Sequence, residues 1–326
     1  MKREPVGQKK IKSLFNVSLK KGTLGHCYVL EGEKGMGKST LAKYLAKMIV
    51  CENHTACGKC KGCLMADGET HPDILYVLPE PDKKNIGVPI IRDMIQQVYI
   101  RPYEASKKVI IINNFEMASP QAQNALLKVI EEPPEYAVFI FTVASEKELL
   151  DTVKSRCCML KLQPYTKEEI VYFLENYTDA LGEKLEFAAA YCNGNTGKGK
   201  EIAENQEFTL LRKIVFDAFI EFIDRKNILP LSEVLKKDDK GKANDVFDCM
   251  LSFLRDIVGY KIGLENRCIN IDYIDKIKTA SGKVSLEKVL SSMEKILEAS
   301  GNLQRNMNFN LTVTQLIFGS LEELHG

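Results

Sequence analysis

The feature that most constrains the fold is a glycine-rich segment between an apolar run and an amphipathic helix. The segment reads Gly32-Glu33-Lys34-Gly35-Met36-Gly37-Lys38-Ser39 and matches G-x-x-x-x-G-K-[ST] at every fixed position. The apolar run Cys27–Glu31 precedes it, and apolar residues with helical spacing follow over Ser39–Val50. Strand, glycine turn and helix in this order predict a phosphate-binding loop.

In such a loop the backbone N–H groups and the helix N-terminus face the phosphates of a nucleotide. Lys38 is expected to reach the β and γ phosphates, and the Ser39 hydroxyl to bind Mg²⁺. The sequence therefore predicts a site for ATP or ADP with Mg²⁺. The alternative is a plain glycine turn that caps a helix. The candidate binding residues are Gly32, Gly35, Gly37, Lys38, Ser39 and Thr40.

Strand-like and helix-like segments alternate up to about residue 165. This alternation predicts an α/β domain whose parallel sheet is covered on both faces. After the first strand, Cys27–Glu31, further strands are expected at Ile74–Leu78, Val109–Ile112, Ala137–Phe141 and Cys158–Leu162. Helices are expected at Ile90–Val98, from Pro120 to the prolines at 133 and 134, and at Glu146–Lys154.

Beyond Pro164 no further clear strand is predicted. Two short helices, Lys167–Asn176 and Lys184–Cys192, precede a glycine-rich break over Gly194–Gly199, and amphipathic helices follow from Phe208. We therefore expect an α/β nucleotide domain over residues 1–165, a small helical domain over 166–205 and a helical C-terminal domain over 206–326.

A cysteine-rich segment over residues 51–63 follows the first long helix. Cys57, Cys60 and Cys63 are spaced C-x-x-C-x-x-C, and Cys51 lies six residues upstream. Four thiolates suit a tetrahedral structural Zn²⁺ ion, which would hold an insertion too short to build its own core. His54 is an alternative ligand to Cys51. Free thiols, a redox pair and an iron–sulfur cluster are the other interpretations.

The end of the strand Val109–Ile112 lacks an expected acidic pair. P-loop ATPases hold Mg²⁺ and orient water with acidic residues at this point. Here the residues are Asn113 and Asn114, which are neutral, and Glu116 is judged too far along the turn. The pattern predicts nucleotide binding with impaired hydrolysis. The alternative is that an asparagine holds the metal through water.

Charge and hydropathy exclude some broad classes. The net charge is +1, which gives no strong general attraction for nucleic acid, although direct DNA contact stays open. No secretory signal precedes the first domain, and the apolar runs are far shorter than the ~20 residues of a membrane span. A cytoplasmic protein without a membrane partner is expected, with most cysteines reduced.

Several motifs together resemble the clamp-loader subunits of bacterial DNA polymerase III, the AAA+ proteins called delta, delta-prime and gamma/tau. The most specific stretch runs from Gln123 to Pro134, and Ser155-Arg156-Cys157 looks like the SRC motif of that family. The phosphate loop and the four-cysteine segment also match. The remaining matches are Val6-Gly7-Gln8, His26 and His71-Pro72-Asp73.

Within this family the delta-prime type fits better than gamma/tau. Asn113 and Asn114 replace the acidic pair, and Gly197 stands where the motor subunits place the sensor-2 arginine. The resemblance implies a largely non-hydrolysing stator in a hetero-pentamer with gamma/tau and delta, joined through a C-terminal collar. It also implies that Arg156 acts in trans on a neighbour's ATP while the complex loads the sliding clamp onto primed DNA.

Three rival functions remain open from the sequence. An active gamma/tau-like ATPase would need efficient hydrolysis despite the asparagines. An unrelated P-loop nucleotide kinase would leave the cysteine segment and Ser155-Arg156-Cys157 unexplained. A DNA-binding zinc protein would need a recognition helix after the cysteines, which the sequence does not offer.

Overall fold

A five-stranded parallel sheet organises the first part of the chain. The computed structural model describes residues 4–79, 85–225, 227, 229–235 and 240–304. The strand order is β2-β3-β4-β1-β5, and every pairing is parallel. The predicted parallel α/β fold is therefore confirmed. The strands are β1 (Cys27–Glu31), β2 (Ile74–Val77), β3 (Lys108–Ile112), β4 (Ala137–Val143) and β5 (Cys158–Lys161).

Both faces of the sheet are covered, and the central strands are accordingly apolar at successive positions. Along β4, Phe139 and Phe141 enter one buried cluster, whereas Val138 and Ile140 enter the other. This alternation follows from the two-residue period of a strand. The surrounding helices are α1 (Lys9–Lys21), α2 (Lys38–Val50), α3 (Lys61–Asp67), α4 (Val88–Val98), α5 (Pro120–Glu131), α6 (Asp151–Lys154) and α7 (Lys167–Tyr177).

The prediction of one continuous helix over Glu146–Lys154 is wrong, because the structure has two separate helical segments there. A 3-10 turn over Glu146–Glu148 is separated from α6 by two extended residues, Leu149 and Leu150. Leu149 is buried in the core, and the Leu150 N–H donates to the side chain of Gln123. Tertiary packing therefore interrupts a segment whose local sequence favours a helix.

Two other local expectations also differ from the structure. The glycine-rich break predicted over Gly194–Gly199 is too long, because a helix begins at Thr196 and only Gly194, with φ +78°, adopts the left-handed region. Helix α1 was not predicted at all. It buries Ile11 and Phe15, which are spaced for one helical face.

The described chain after β5 is helical. The elements that follow α7 are α8 (Gly182–Tyr191), α9 (Thr196–Glu204), α10 (Gln206–Arg225), α11 (Leu229–Leu235), α12 (Lys240–Lys261), α13 (Ile274–Lys283) and α14 (Leu286–Gln304). Helix α12 packs against α10, α13 and α14. In this core the ring of Phe253 makes edge-to-face contacts with the rings of Phe216 and Phe219. The predicted helical C-terminal region is confirmed.

The chain divides into two compact units. The first contains Met1–Phe173 together with Gly194–Gly197, and the second contains Leu174–Asn193 and Lys198–Gly326. The separate small domain over residues 166–205 stays a prediction. None of the helices in the described part of the chain combines the length and apolar character that a membrane span requires.

Candidate nucleotide site, cysteine cluster and arginine turn

The phosphate loop connects β1 to α2, as the pattern predicts. Gly35 has φ +92° and Gly37 has φ +76°, a left-handed backbone region that favours glycine. Gly37 is also the N-cap of α2. Because β1 lies between β4 and β5, the loop emerges from an interior strand, one position from the edge of the sheet. Ser39 and Thr40 lie in the first turn of the helix.

The Lys38 amine lies inside the phosphate loop. Its Nζ donates to the carbonyl oxygens of Gly32, at 2.5 Å, and Glu33, at 3.0 Å. The residue is only 7% exposed. Burial lowers the pKa of Lys38, and the charges of Glu116 and Glu33 offset part of this effect. The arrangement holds a cation where the phosphates of a nucleotide would lie.

The end of β3 carries neutral side chains beside the loop. The Thr142 hydroxyl on β4 lies 3.5 Å from Asn113 Oδ1 and accepts a hydrogen bond from the Asn114 N–H at 2.9 Å. Asn114 has φ +51°, in the left-handed region that asparagine tolerates better than most residues. Neither side chain offers a carboxylate at the strand end.

Glu116 follows the two asparagines and acts electrostatically on the phosphate loop. It lies in a 3-10 turn over Phe115–Met117, and its charge acts on the pKa of Lys38. Its Oε2 atom is buried and has no hydrogen-bond partner among the described residues. The negative charge of Glu116 is therefore felt at Lys38, an effect that the spacing along the sequence does not reveal. Its part in hydrolysis stays a prediction.

The four predicted cysteine ligands converge. The Sγ atoms of Cys51, Cys57, Cys60 and Cys63 all lie within 4.8 Å of one another. Two of the Sγ–Sγ distances, Cys57 to Cys63 and Cys51 to Cys60, are 3.9 Å. Tetrahedral zinc with Zn–S bonds of about 2.3 Å requires sulfur atoms about 3.8 Å apart. The cluster therefore fits a closed tetrahedral metal site without an open position.

Backbone donors surround the cluster. The N–H groups of Cys60 and Cys63 donate to the sulfur atoms three residues earlier, at 3.5 and 3.4 Å. Burial raises the pKa of the Cys51 thiol, but nearby backbone N–H groups lower it by more, to about 6. The His54 Nδ1 atom instead lies 3.3 Å from the carbonyl oxygen of Met48. The alternative ligand is therefore not needed to complete the set.

Ser155-Arg156-Cys157 forms a turn between α6 and β5, which is an edge strand. The Arg156 guanidinium forms an ion pair with Glu131 at 2.5 Å and donates to the carbonyl oxygen of Thr152 at 2.8 Å. About a third of its side chain, 34%, is exposed. The arginine is thus held by its own chain, with part of its surface open to solvent.

Strand order, phosphate loop and the helices that follow the sheet define a P-loop NTPase of the AAA+ class. A family model described as "DNA polymerase III, delta subunit" matches residues 7–166, and one described as "DNA polymerase III, delta subunit, C terminal" matches residues 206–320. The chain belongs to the clamp-loader family of DNA polymerase III. This membership sets aside the nucleotide-kinase alternative.

Two curated relatives, both from Bacillus subtilis, agree with this assignment. The chain is 27% identical to DNA polymerase III subunit delta' of Bacillus subtilis over 318 residues, which cover 94% of each chain. It is 36% identical to subunit tau of the same organism over 176 residues, 54% of this chain and 31% of tau. A solved gamma subunit-related protein of Thermotoga maritima is 18% identical, with a TM-score of 0.48, and the match covers 96% of this chain and 99% of that one.

Proposed function

We propose that this chain is a delta-prime-type subunit of the DNA polymerase III clamp loader that binds nucleotide but hydrolyses it poorly. The observation that carries the proposal is the contrast between an intact phosphate loop and a β3 end that bears Asn113 and Asn114. Asparagine is neutral and cannot accept the proton of an attacking water. The match to a delta' protein over almost the full length of both chains supports the same assignment.

Two groups would be bound in this function. ATP or ADP with Mg²⁺ would be held by the loop N–H groups, by Lys38 and by the Ser39 hydroxyl. The nucleotide supplies phosphate charge, which the loop neutralises. A structural Zn²⁺ ion would be held by Cys51, Cys57, Cys60 and Cys63, whose sulfur spacing fits it.

The proposed partners are the gamma/tau and delta subunits in a five-membered ring, with the sliding clamp and primed DNA as the objects of the complex. Arg156 would contact the ATP of a neighbouring subunit. For this its guanidinium must leave Glu131. An ion pair with this much exposure contributes only about 1 kcal/mol or less, so the release is easily compensated by phosphate.

The test is clamp loading by a complex reconstituted with the Arg156→Ala variant. Assembly and zinc content should stay at wild-type levels, while DNA-stimulated ATPase activity and loading fall. Glu131→Gln is the matched control, because it breaks the same ion pair but keeps the arginine. Loading at the wild-type rate by Arg156→Ala would reject a role in trans.

An active gamma/tau-like ATPase is the second candidate. Two observations favour it, namely the 36% identity to tau and the buried Glu116 carboxylate oxygen, whose charge raises the pKa of Lys38 and so offsets part of the lowering by burial. A carboxylate there could orient water in place of the missing pair. Steady-state ATPase activity of the purified chain, abolished by Glu116→Gln, would favour this candidate over the stator.

A further inference from the structure

A second segment of the chain lies directly against the phosphate loop. Residues 194–197, here called the strap, belong to the same compact unit as the loop although they lie some 160 positions downstream. Asn195 is 9% exposed and Thr196 is 6% exposed. Buried polar side chains of this kind must satisfy their hydrogen bonds within the protein.

The strap donates three hydrogen bonds to loop carbonyl groups. Asn195 Nδ2 donates to the Lys34 carbonyl at 2.9 Å. The Thr196 hydroxyl donates to the Gly35 carbonyl at 3.0 Å, and the Gly197 N–H donates to the same oxygen at 2.9 Å. Two successive loop carbonyls are therefore anchored on the strap side.

A third carbonyl is anchored by a different residue. The Tyr165 hydroxyl donates to the Met36 carbonyl at 3.2 Å. In a trans peptide the C=O and the following N–H point in opposite directions. Anchoring the Lys34 and Met36 carbonyls outwards directs the N–H groups of Gly35 and Gly37 to the other side, where phosphate oxygens need donors. The Met36 N–H donates within the loop, to the Glu33 carbonyl at 3.2 Å.

The contact leaves no space for a side chain at either glycine. A Cβ atom on Gly197 would lie 2.6 Å from the Gly35 Cα, and one on Gly35 would lie 2.5 Å from Asn195 Oδ1. Any larger residue at position 197 must displace the loop or the strap. Glycine at position 197 therefore has a structural consequence as well as the loss of an arginine charge, because it permits the close contact between the strap and Gly35.

We propose that Asn195, Thr196 and Gly197 are positioning residues that hold the phosphate loop in its phosphate-binding shape before any nucleotide arrives. The inference rests on the proposed nucleotide binding and adds the reason why binding persists without a sensor-2 arginine. The strap supplies order to the loop, whereas an arginine would supply charge to the nucleotide.

The first test measures the Kd for ADP with Mg²⁺ by calorimetry. Thr196→Val keeps the shape of the side chain but removes the donor, so binding should weaken about two- to tenfold. Thr196→Ser restores a hydroxyl and should bind like wild type. Thr279→Val is the matched control, because it removes a threonine hydroxyl bonded to the Asp275 carbonyl in the second unit.

The second test needs no nucleotide. Hydrogen exchange of the peptides that cover residues 32–38 and 194–197 reports directly on the strap. Exchange should be about two- to tenfold faster in Thr196→Val than in wild type, and faster still in Gly197→Ala. Zinc content and melting temperature show whether each variant is folded. If Gly197→Ala does not fold, the exchange rate of Thr196→Val alone decides the test.

Binding and exchange separate the possible results. Weaker binding with faster exchange supports the strap. Wild-type binding and wild-type exchange in Thr196→Val overturn it. If the wild-type chain binds no ADP, the nucleotide part of the proposed function is wrong, and exchange alone decides the inference: faster exchange in Thr196→Val supports the strap, and unchanged exchange overturns it.

Discussion

The two ends of helix α2 carry two sites that are completed in different ways. At its N-terminus the phosphate loop is held by hydrogen bonds from Tyr165 and residues 194–197. At its C-terminus Cys51 joins three other thiols, and the four sulfur atoms lie within 4.8 Å of one another, a spacing that fits a metal ion. One end is held by hydrogen bonds within the protein, and the other offers a set of metal ligands.

The difference follows from what surrounds each site. The phosphate loop is packed on the main sheet, where distant segments can reach its carbonyl groups. The cysteine segment spans about a dozen residues and can bury little apolar surface of its own, so in the proposed function a Zn²⁺ ion would supply its stability. A substitution at the cysteine end should therefore reduce folding stability, whereas a substitution at the loop end should mainly weaken nucleotide binding.

The largest effect is expected at the cysteine end. Cys60→Ser should abolish stoichiometric zinc and lower the free energy of unfolding by about 4 kcal/mol or more, because the segment loses the cross-link that the proposed Zn²⁺ ion would supply. Elemental analysis and chemical denaturation measure both quantities. Cys158→Ser, which changes an exposed cysteine outside the cluster, is the control and should keep zinc and stability.

At the other end, Lys38→Ala should affect binding far more than folding. Removing the buried cation leaves phosphate charge unpaired and should raise the Kd for ADP with Mg²⁺ on the order of a hundredfold, or about 3 kcal/mol. Lys43→Ala, on the same helix but in an exposed ion pair with Glu69, should bind normally. A zinc loss in Lys38→Ala would show that the two ends are not independent.

A brace built only from protein groups sharpens the comparison. The buried Asp73 carboxylate accepts hydrogen bonds from the N–H groups of Tyr103, Glu104 and Ala105 at 2.6–2.8 Å. Burial raises the pKa of Asp73, but these donors lower it by more, so the net shift is downwards. Asp73→Asn should cost about 2 kcal/mol at pH 7.

The pH dependence of this effect has a definite sign. A carboxyl with a depressed folded pKa contributes stability above its unfolded pKa and loses it as pH falls through the folded pKa. The difference between wild type and Asp73→Asn should therefore persist at pH 5 and shrink below about pH 4. Thiolate protonation affects both proteins equally. Asp93→Asn, an exposed change, should show no such difference.

The smallest effect on folding is expected at Arg156. Its ion pair with Glu131 is substantially exposed, so Arg156→Ala should change the free energy of unfolding by about 1 kcal/mol or less. Denaturant midpoints of the isolated chain measure this directly. A much larger loss would mean that the arginine is a structural residue of its own subunit.

Local chemistry explains which features the sequence could predict. The spacing of the glycines in the phosphate-loop pattern predicts Gly35 and Gly37, which have left-handed φ angles in the structure. The spacing of the cysteines predicts the cluster of four sulfur atoms. Buried parallel strands can be recognised in a sequence as continuous apolar runs. These signals lie within short stretches of chain and depend little on distant contacts.

Features made by long-range contacts could not be predicted. The electrostatic effect of Glu116 on Lys38 depends on the path of a 3-10 turn, and the strap depends on a contact across some 160 residues. The break at Leu149 exists because that side chain enters the core. Local propensity carries no information about such partners.

In the proposed function the phosphate loop is complete, while the end of β3 cannot support hydrolysis. The direct measurement is nucleotide bound and product formed when the isolated chain is incubated with ATP and Mg²⁺. We expect stoichiometric ATP on the chain, with product formation no faster than in Lys38→Ala. Multiple turnovers well above that variant's background would contradict the claim.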